Sequence, residues 1–222
     1  MTTRTLFASP LSRLMRKPTL ALTFLLLLLS PLLVAADPTF GLDRFDPNAP
    51  LISEEQGPIG LDRVDFILGN GEGSDNYRLA LQWDWFTYTT PKGGWTIDAS
   101  LSPNYSVFNG AERENGTHAR LRDIGLTPIF TFIPERVGNR HLSPFVEMGI
   151  GLHYLTEKNV GYKSFSTNFQ FGDHIGVGAY FGKHQAYKLA YVFQHLSNAG
   201  IEAPNPGINF HLVTFGFRMG RR

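Results

Sequence analysis

Near the C-terminal end of the chain, His195 and Ser197 stand two residues apart in the segment Phe193-Gln194-His195-Leu196-Ser197-Asn198-Ala199, and Pro204-Asn205-Pro206-Gly207-Ile208-Asn209 follows shortly after. A serine hydroxyl is a weak nucleophile until a neighbouring imidazole takes its proton, and an oxyanion formed by its attack needs hydrogen-bond donors close by. Asn198, Asn205 and Gly207 can supply side-chain and backbone donors of that kind. Spacing alone does not create such a geometry. A lone histidine facing out at a membrane rim is more often an interfacial polar residue. The worth of the pair therefore depends on the element that carries it.

That element reads as a β-strand. Tyr187, Leu189, Tyr191 and Phe193 alternate with Lys188, Ala190 and Gln194, and His195 and Ser197 continue the apolar parity. In a strand, residues of one parity share a face, so both side chains point outward, side by side. The same alternation recurs at Tyr77–Trp85, Leu142–Tyr154 and Phe169–Phe181. Altogether the pattern predicts strands at about 62–69, 76–88, 95–108, 118–133, 141–155, 167–182, 184–196 and 207–219. An even number of antiparallel strands of about ten residues is what a small transmembrane barrel needs. Closure is physically required, because an open sheet edge in hydrocarbon leaves backbone groups unpaired. The expected fold is all-β, an eight-stranded antiparallel barrel of the bacterial outer membrane spanning 62–222.

The first 36 residues differ from the rest. Arg4, Arg13, Arg16 and Lys17 precede an apolar run from Leu20 to Val34, and Val34-Ala35-Ala36 offers a small-residue cleavage site. This is the layout of a secretory signal peptide at 1–36, and the run is short for a spanning helix. Removing it takes four of the 20 basic residues and none of the 19 acidic ones, which leaves a net charge of −3. Such a balance gives no electrostatic footprint for nucleic acid. With no cysteine, neither a disulfide framework nor a thiolate metal site can form. Aromatic residues at 13%, with 23 glycines and no long apolar run after residue 36, suit strands that alternate between lipid and a polar interior.

With the mature N-terminus in the periplasm, the connections at 69–75, 109–117, 156–166 and 198–206 lie outside the cell, and the three turns near 91–94, 134–140 and 182–184 lie inside. His195 and Ser197 then sit level with the outer leaflet. Residues 37–61, rich in proline and acids, are expected as a periplasmic N-terminal extension, a plug being the alternative. Arg78, Asp84, Asp98, Arg120, Arg122, Glu147, His153 and His174 are expected inside the barrel as paired structural charges. His153 and His174 lack a convincing metal-ligand set.

From Asp75 to Phe217 the chain resembles the PagL-type lipid A 3-O-deacylases. The likeness runs through Leu79-x-Leu81-x-Trp83-Asp84-Trp85, Pro144-Phe145-x-Glu147-x-Gly149-Ile150-Gly151 and Asn168-Phe169. It is densest at His195-x-Ser197-Asn198-Ala199-Gly200 and Pro204-Asn205-x-Gly207-Ile208. The resemblance implies a serine esterase that removes the ester-linked acyl chain at position 3 of lipid A, with Ser197 as nucleophile and His195 as general base. Asn198, Asn205 and Gly207 become candidates for holding the oxyanion or the substrate. No cofactor and no metal is implied. The partners are lipid A or lipopolysaccharide as substrate and the outer-membrane bilayer, not nucleic acid, with a homodimer also compatible.

The family's third triad member is a glutamate, and the motif places it at Asn209. An amide can accept a hydrogen bond from imidazole but carries no charge to stabilise imidazolium. A turn centred near Lys183 would set residue 171 opposite His195 and Asp173 one diagonal step away, so Asp173 is an alternative third member. Glu202, in the loop after Ser197, is another. The competing function is a non-enzymatic barrel, adhesive or membrane-stabilising, descended from such an enzyme and disarmed at Asn209.

Overall fold

The computed structural model describes residues 60–90, 94–112, 118–134 and 142–219. The expected signal peptide, all but the last two residues of the N-terminal extension, and the tail from Gly220 lie outside them. The described residues form ten strands: β1 (Arg63–Gly71), β2 (Ser74–Thr89), β3 (Trp95–Glu112), β4 (His118–Pro134), β5 (Leu142–Leu155), β6 (Asn159–Val160), β7 (Lys163–Ser164), β8 (Phe169–Phe181), β9 (Tyr187–Ser197) and β10 (Ile208–Arg218). Eight of them close in the order β1-β10-β9-β8-β5-β4-β3-β2, every neighbour antiparallel, while β6 and β7 form a small hairpin of their own. The expected eight-stranded barrel is the fold. No helix among the described residues is long and apolar enough to cross a membrane.

Alternation sets the two faces. Along β9, Lys188, Ala190, Val192, Gln194 and Leu196 are buried, whereas Tyr187, Leu189 and Tyr191 are exposed. Phe66, Leu68, Tyr77, Leu79, Leu152, Tyr154, Ile175, Val177, Val213 and Phe215 extend the apolar outer wall around the barrel. Such a band is stable only against hydrocarbon. Inside, Lys188 Nζ lies 3.2 Å from Asp65 Oδ2 and 2.8 Å from Glu147 Oε2, and His153 Nδ1 lies 2.9 Å from Asp123 Oδ2. Buried charges persist where they are paired in this way.

Two of the residues expected inside are not there. Leu121 and Asp123 hold the inward parity of β4, so Arg120 and Arg122 point outward and are exposed. They lie at the start of the strand, where a guanidinium can reach past the hydrocarbon on its flexible stem. Arg120 Nε there donates to Asn109 Oδ1 at 3.1 Å.

The end of the barrel where β9 stops is closed by apolar packing. Phe108, Leu121, Leu155, Leu196, Ile208 and Phe210 point in from the strands and meet Val160 and Phe165 from the long connection between β5 and β8. The same connection reaches the β1–β2 turn, where Tyr162 N donates to Glu72 O at 3.5 Å. That turn differs from the loop expected at 69–75. Glu72 and Gly73 both have positive φ, 44° and 82°, and join the strands in two residues. Positive φ at both central positions gives the turn the twist that a two-residue hairpin requires.

Candidate active site

His195 and Ser197 lie on the outward face of β9, as the parity predicted, half-buried at the strand's last turns. The neighbouring strands place two candidate partners directly beside the imidazole. Asn209 of β10 is the register partner of His195 on one side, and Asp173 of β8 on the other. The turn between β8 and β9 is centred on His184 rather than Lys183, so Asp173 is opposite His195 and Phe171 is opposite Ser197. This corrects the expected diagonal placement by one step.

Of the three proposed orienting residues, the structure joins one to the ring. His195 Nδ1 lies 2.7 Å from Asn209 Oδ1. A carbonyl oxygen can only accept, so this contact places the imidazole proton on Nδ1 and leaves Nε2 with its lone pair. Asp173 is exposed on the outer wall, and among the described residues no hydrogen bond joins it to His195. Glu202 is exposed, and its backbone carbonyl, not its carboxylate, is engaged locally.

Gly207 fixes the other edge of the ring. A Cβ there would fall 2.5 Å from His195 Cε1 and 3.0 Å from Nε2, and the residue has φ +62°. Only glycine adopts that conformation freely and admits the imidazole so close to the backbone. The Nε2 edge therefore faces the loop that Ser197 opens. Among the described residues no hydrogen bond joins Ser197 Oγ to His195. Successive same-face residues of a strand are about 7 Å apart at Cα, and a nucleophile–base contact commonly tightens only when substrate arrives.

The remaining two sequence candidates divide. Asn198 is fully buried; its Nδ2 donates to Ser166 Oγ at 2.9 Å and Glu202 O at 2.7 Å, and its backbone N–H donates to Asn205 Oδ1 at 3.1 Å. Both amide protons and the backbone donor are thus engaged in holding the loop. Asn205 uses its carbonyl oxygen in that anchor, which leaves its amide nitrogen, a donor, on the other side of the group.

Sequence reasoning missed Glu72. Its Oε1 accepts from Asn209 Nδ2 at 3.1 Å and from the Asn209 backbone N–H at 3.3 Å, while Oε2 lies 2.8 Å from Lys163 Nζ. Its carboxyl is held below the ordinary carboxylate value, chiefly by the Lys163 hydrogen bond, which outweighs the opposing desolvation, with the Asn209 donors and the Lys163 charge lowering it further. The available signal was only the Glu-Gly pair at a hairpin turn, which does not say where the side chain goes.

Comparison with known proteins gives a consistent result. The family model described as lipid A 3-O-deacylase (PagL) matches residues 75–218. The lipid A deacylase PagL of Pseudomonas aeruginosa is 29% identical over 145 residues, covering 65% of this chain and 79% of that protein. Its namesake from Bordetella bronchiseptica is 36% identical over 74 residues, 33% of this chain and 40% of that protein. Among solved structures, the crystal structure of the outer membrane enzyme PagL superposes with a TM-score of 0.60 at 24% identity, covering 70% of this chain and 98% of the other, a likeness of fold.

Proposed function

The chain belongs to the lipid A 3-O-deacylase (PagL) family, and from that premise we propose that it is an outer-membrane deacylase that works as a serine esterase, removing the ester-linked 3-position acyl chain of lipid A with Ser197 as nucleophile. The observation that carries this reading is the lipid-facing His195 whose Nδ1 is engaged by Asn209 beside Ser197.

The chemistry follows from that arrangement. His195 Nε2 takes the proton of Ser197 Oγ as the oxygen adds to the ester carbonyl, and the carbonyl oxygen becomes an oxyanion near the Asn205 amide and the Gly207 backbone. As the tetrahedral centre collapses, the bond to the sugar oxygen breaks and His195 returns the proton to that oxygen. The acyl-serine is then hydrolysed by water, activated by the same imidazole, which releases a free fatty acid and restores Ser197. With the N-terminus in the periplasm the site lies in the outer leaflet, where lipid A can reach it sideways without an aqueous pocket. All these residues come from one chain, so a homodimer, if formed, would leave the chemistry unchanged.

The test uses the purified protein in detergent with lipid A and mass spectrometry of the products. The expected product lacks one ester-linked acyl group at position 3, with amide-linked chains intact. Ser197→Ala should abolish the reaction while keeping the heat-modified gel mobility of a folded barrel. Wild-type turnover in that variant would refute the mechanism.

A further inference from the structure

We propose that Glu72 is the charged positioning residue of this site: through the Asn209 amide it fixes the proton of His195 on Nδ1 and so keeps Nε2 free to act on Ser197. The proposal rests on the serine-esterase reading above and supplies the negative charge that Asn209 lacks.

A carboxamide is ambiguous where a carboxylate is not. Turned by 180°, Asn209 would present Nδ2 to His195 Nδ1, force that nitrogen to accept, and move the imidazole proton to Nε2. The base would then face its nucleophile with no lone pair. A group on the far side of the amide that can only accept removes the choice, because Nδ2 must turn towards it. Glu72 is such a group: Oε1 receives Asn209 Nδ2 at 3.1 Å and the Asn209 backbone N–H at 3.3 Å. Its position is not accidental to the fold. The two-residue turn leaves no slack in the chain on either side of Glu72, and Lys163 grips the second carboxylate oxygen at 2.8 Å from the β7 strand. The depressed titration of Glu72 keeps it anionic at neutral pH. When His195 becomes imidazolium, this anion lies one amide away, and a polarised amide between them passes on part of its stabilisation.

The charged groups around the relay are Lys163 on β7, which pairs with Glu72, and Asp173 on β8, which stands opposite His195 on the side away from Asn209. Neither takes the place of Glu72. Lys163 has the wrong sign, and Asp173, although near enough for its charge to act on His195, makes no hydrogen bond to the ring among the described residues and so does not choose which nitrogen holds the proton.

The decisive experiment is a cycle of Glu72→Gln and Asn209→Glu, with Ser197→Ala as the control, each purified, checked for the heat-modified mobility of a folded barrel, and assayed on lipid A in detergent for kcat and KM. Glutamine matches glutamate in size but can donate as well as accept, so it restores the ambiguity of the amide. Glu72→Gln should lower kcat about 10- to 100-fold, which is what loss of a charge-assisted hydrogen bond is worth, with KM changed by no more than about twofold. In Asn209→Glu the charge touches His195 directly, and the double variant should regain at least the wild-type kcat because the crowding of two carboxylates is gone. An unchanged kcat in Glu72→Gln would overturn the proposal. So would an equal loss in both backgrounds, since Glu72 would then only be holding the loop. Full turnover by Ser197→Ala would remove the premise itself, a result distinct from either.

Discussion

At His195 the chain keeps the geometry of an imidazole and its acceptor but moves the charge outward by one residue. The consequence can be measured directly. Asn209→Ala takes away the hydrogen bond to Nδ1 and should lower turnover on purified lipid A by about tenfold or more, whereas Asp173→Asn should change it by less than about twofold. The reverse order would hand the orienting role to Asp173. The outward, adjacent placement of His195 and Ser197 was legible from strand parity, and the place of Asn209 beside His195 from the spacing of a family motif. Glu72 was not, because it reaches the site from a turn 137 residues away in the chain, and no periodic pattern records where a turn side chain points. Asp173 was found by pairing arithmetic, but a turn displaced by one residue moved it from a diagonal to a directly opposed position.

Among the elements, strands were easier to read than their connections. Every barrel strand was anticipated within a few residues, since a lipid-facing wall enforces strict alternation. The connection expected at 69–75 proved to be a two-residue turn because Glu72 and Gly73 both accept positive φ, a conformation more familiar for Asn-Gly than for Glu-Gly. The apolar closure by Val160 and Phe165 also escaped notice, since a hairpin of two-residue strands has no period to detect. These connections form a support for the site. Ser166 N–H donates to Pro204 O at 3.0 Å, and Asn198 ties Ser166, Glu202 and Asn205 together. Asn198→Ala takes one donor from the Ser166 hydroxyl and one from the Glu202 carbonyl, which keeps the Ser166 hydroxyl as its donor. It should destabilise the folded barrel by about 1–3 kcal/mol and reduce turnover, read as a lower temperature for loss of the heat-modified gel form. Unaltered stability would show that Asn198 does not anchor the loop.

For the molecule as a whole, rigidity comes from inside the wall. Lys188, 1% exposed, sits between Asp65 and Glu147, with Gln82 Nε2 adding a donor to Asp65 at 3.1 Å. Lys188→Met strands two carboxylates in a confined interior and should cost about 3–5 kcal/mol in urea unfolding, with much of the loss recovered when Asp65→Asn and Glu147→Gln are added. A Lys188→Met barrel as stable as the wild type would mean that the interior is wetter than the pairing implies. The polar interior was legible from composition and alternation, while the outward turn of Arg120 and Arg122 needed the phase of β4. The outer wall carries a different lesson. On the proposed mechanism, with His195 and Ser197 facing sideways from that wall, encounter with a lipid is a two-dimensional event. The concentration that governs saturation is the mole fraction of lipid A in the leaflet, not its amount per volume, and diluting the leaflet with inert lipid acts like diluting a solution. Both products stay in the same plane, so escape from the wall is lateral diffusion, and the freed acyl chain competes with the next substrate for the same strip of surface.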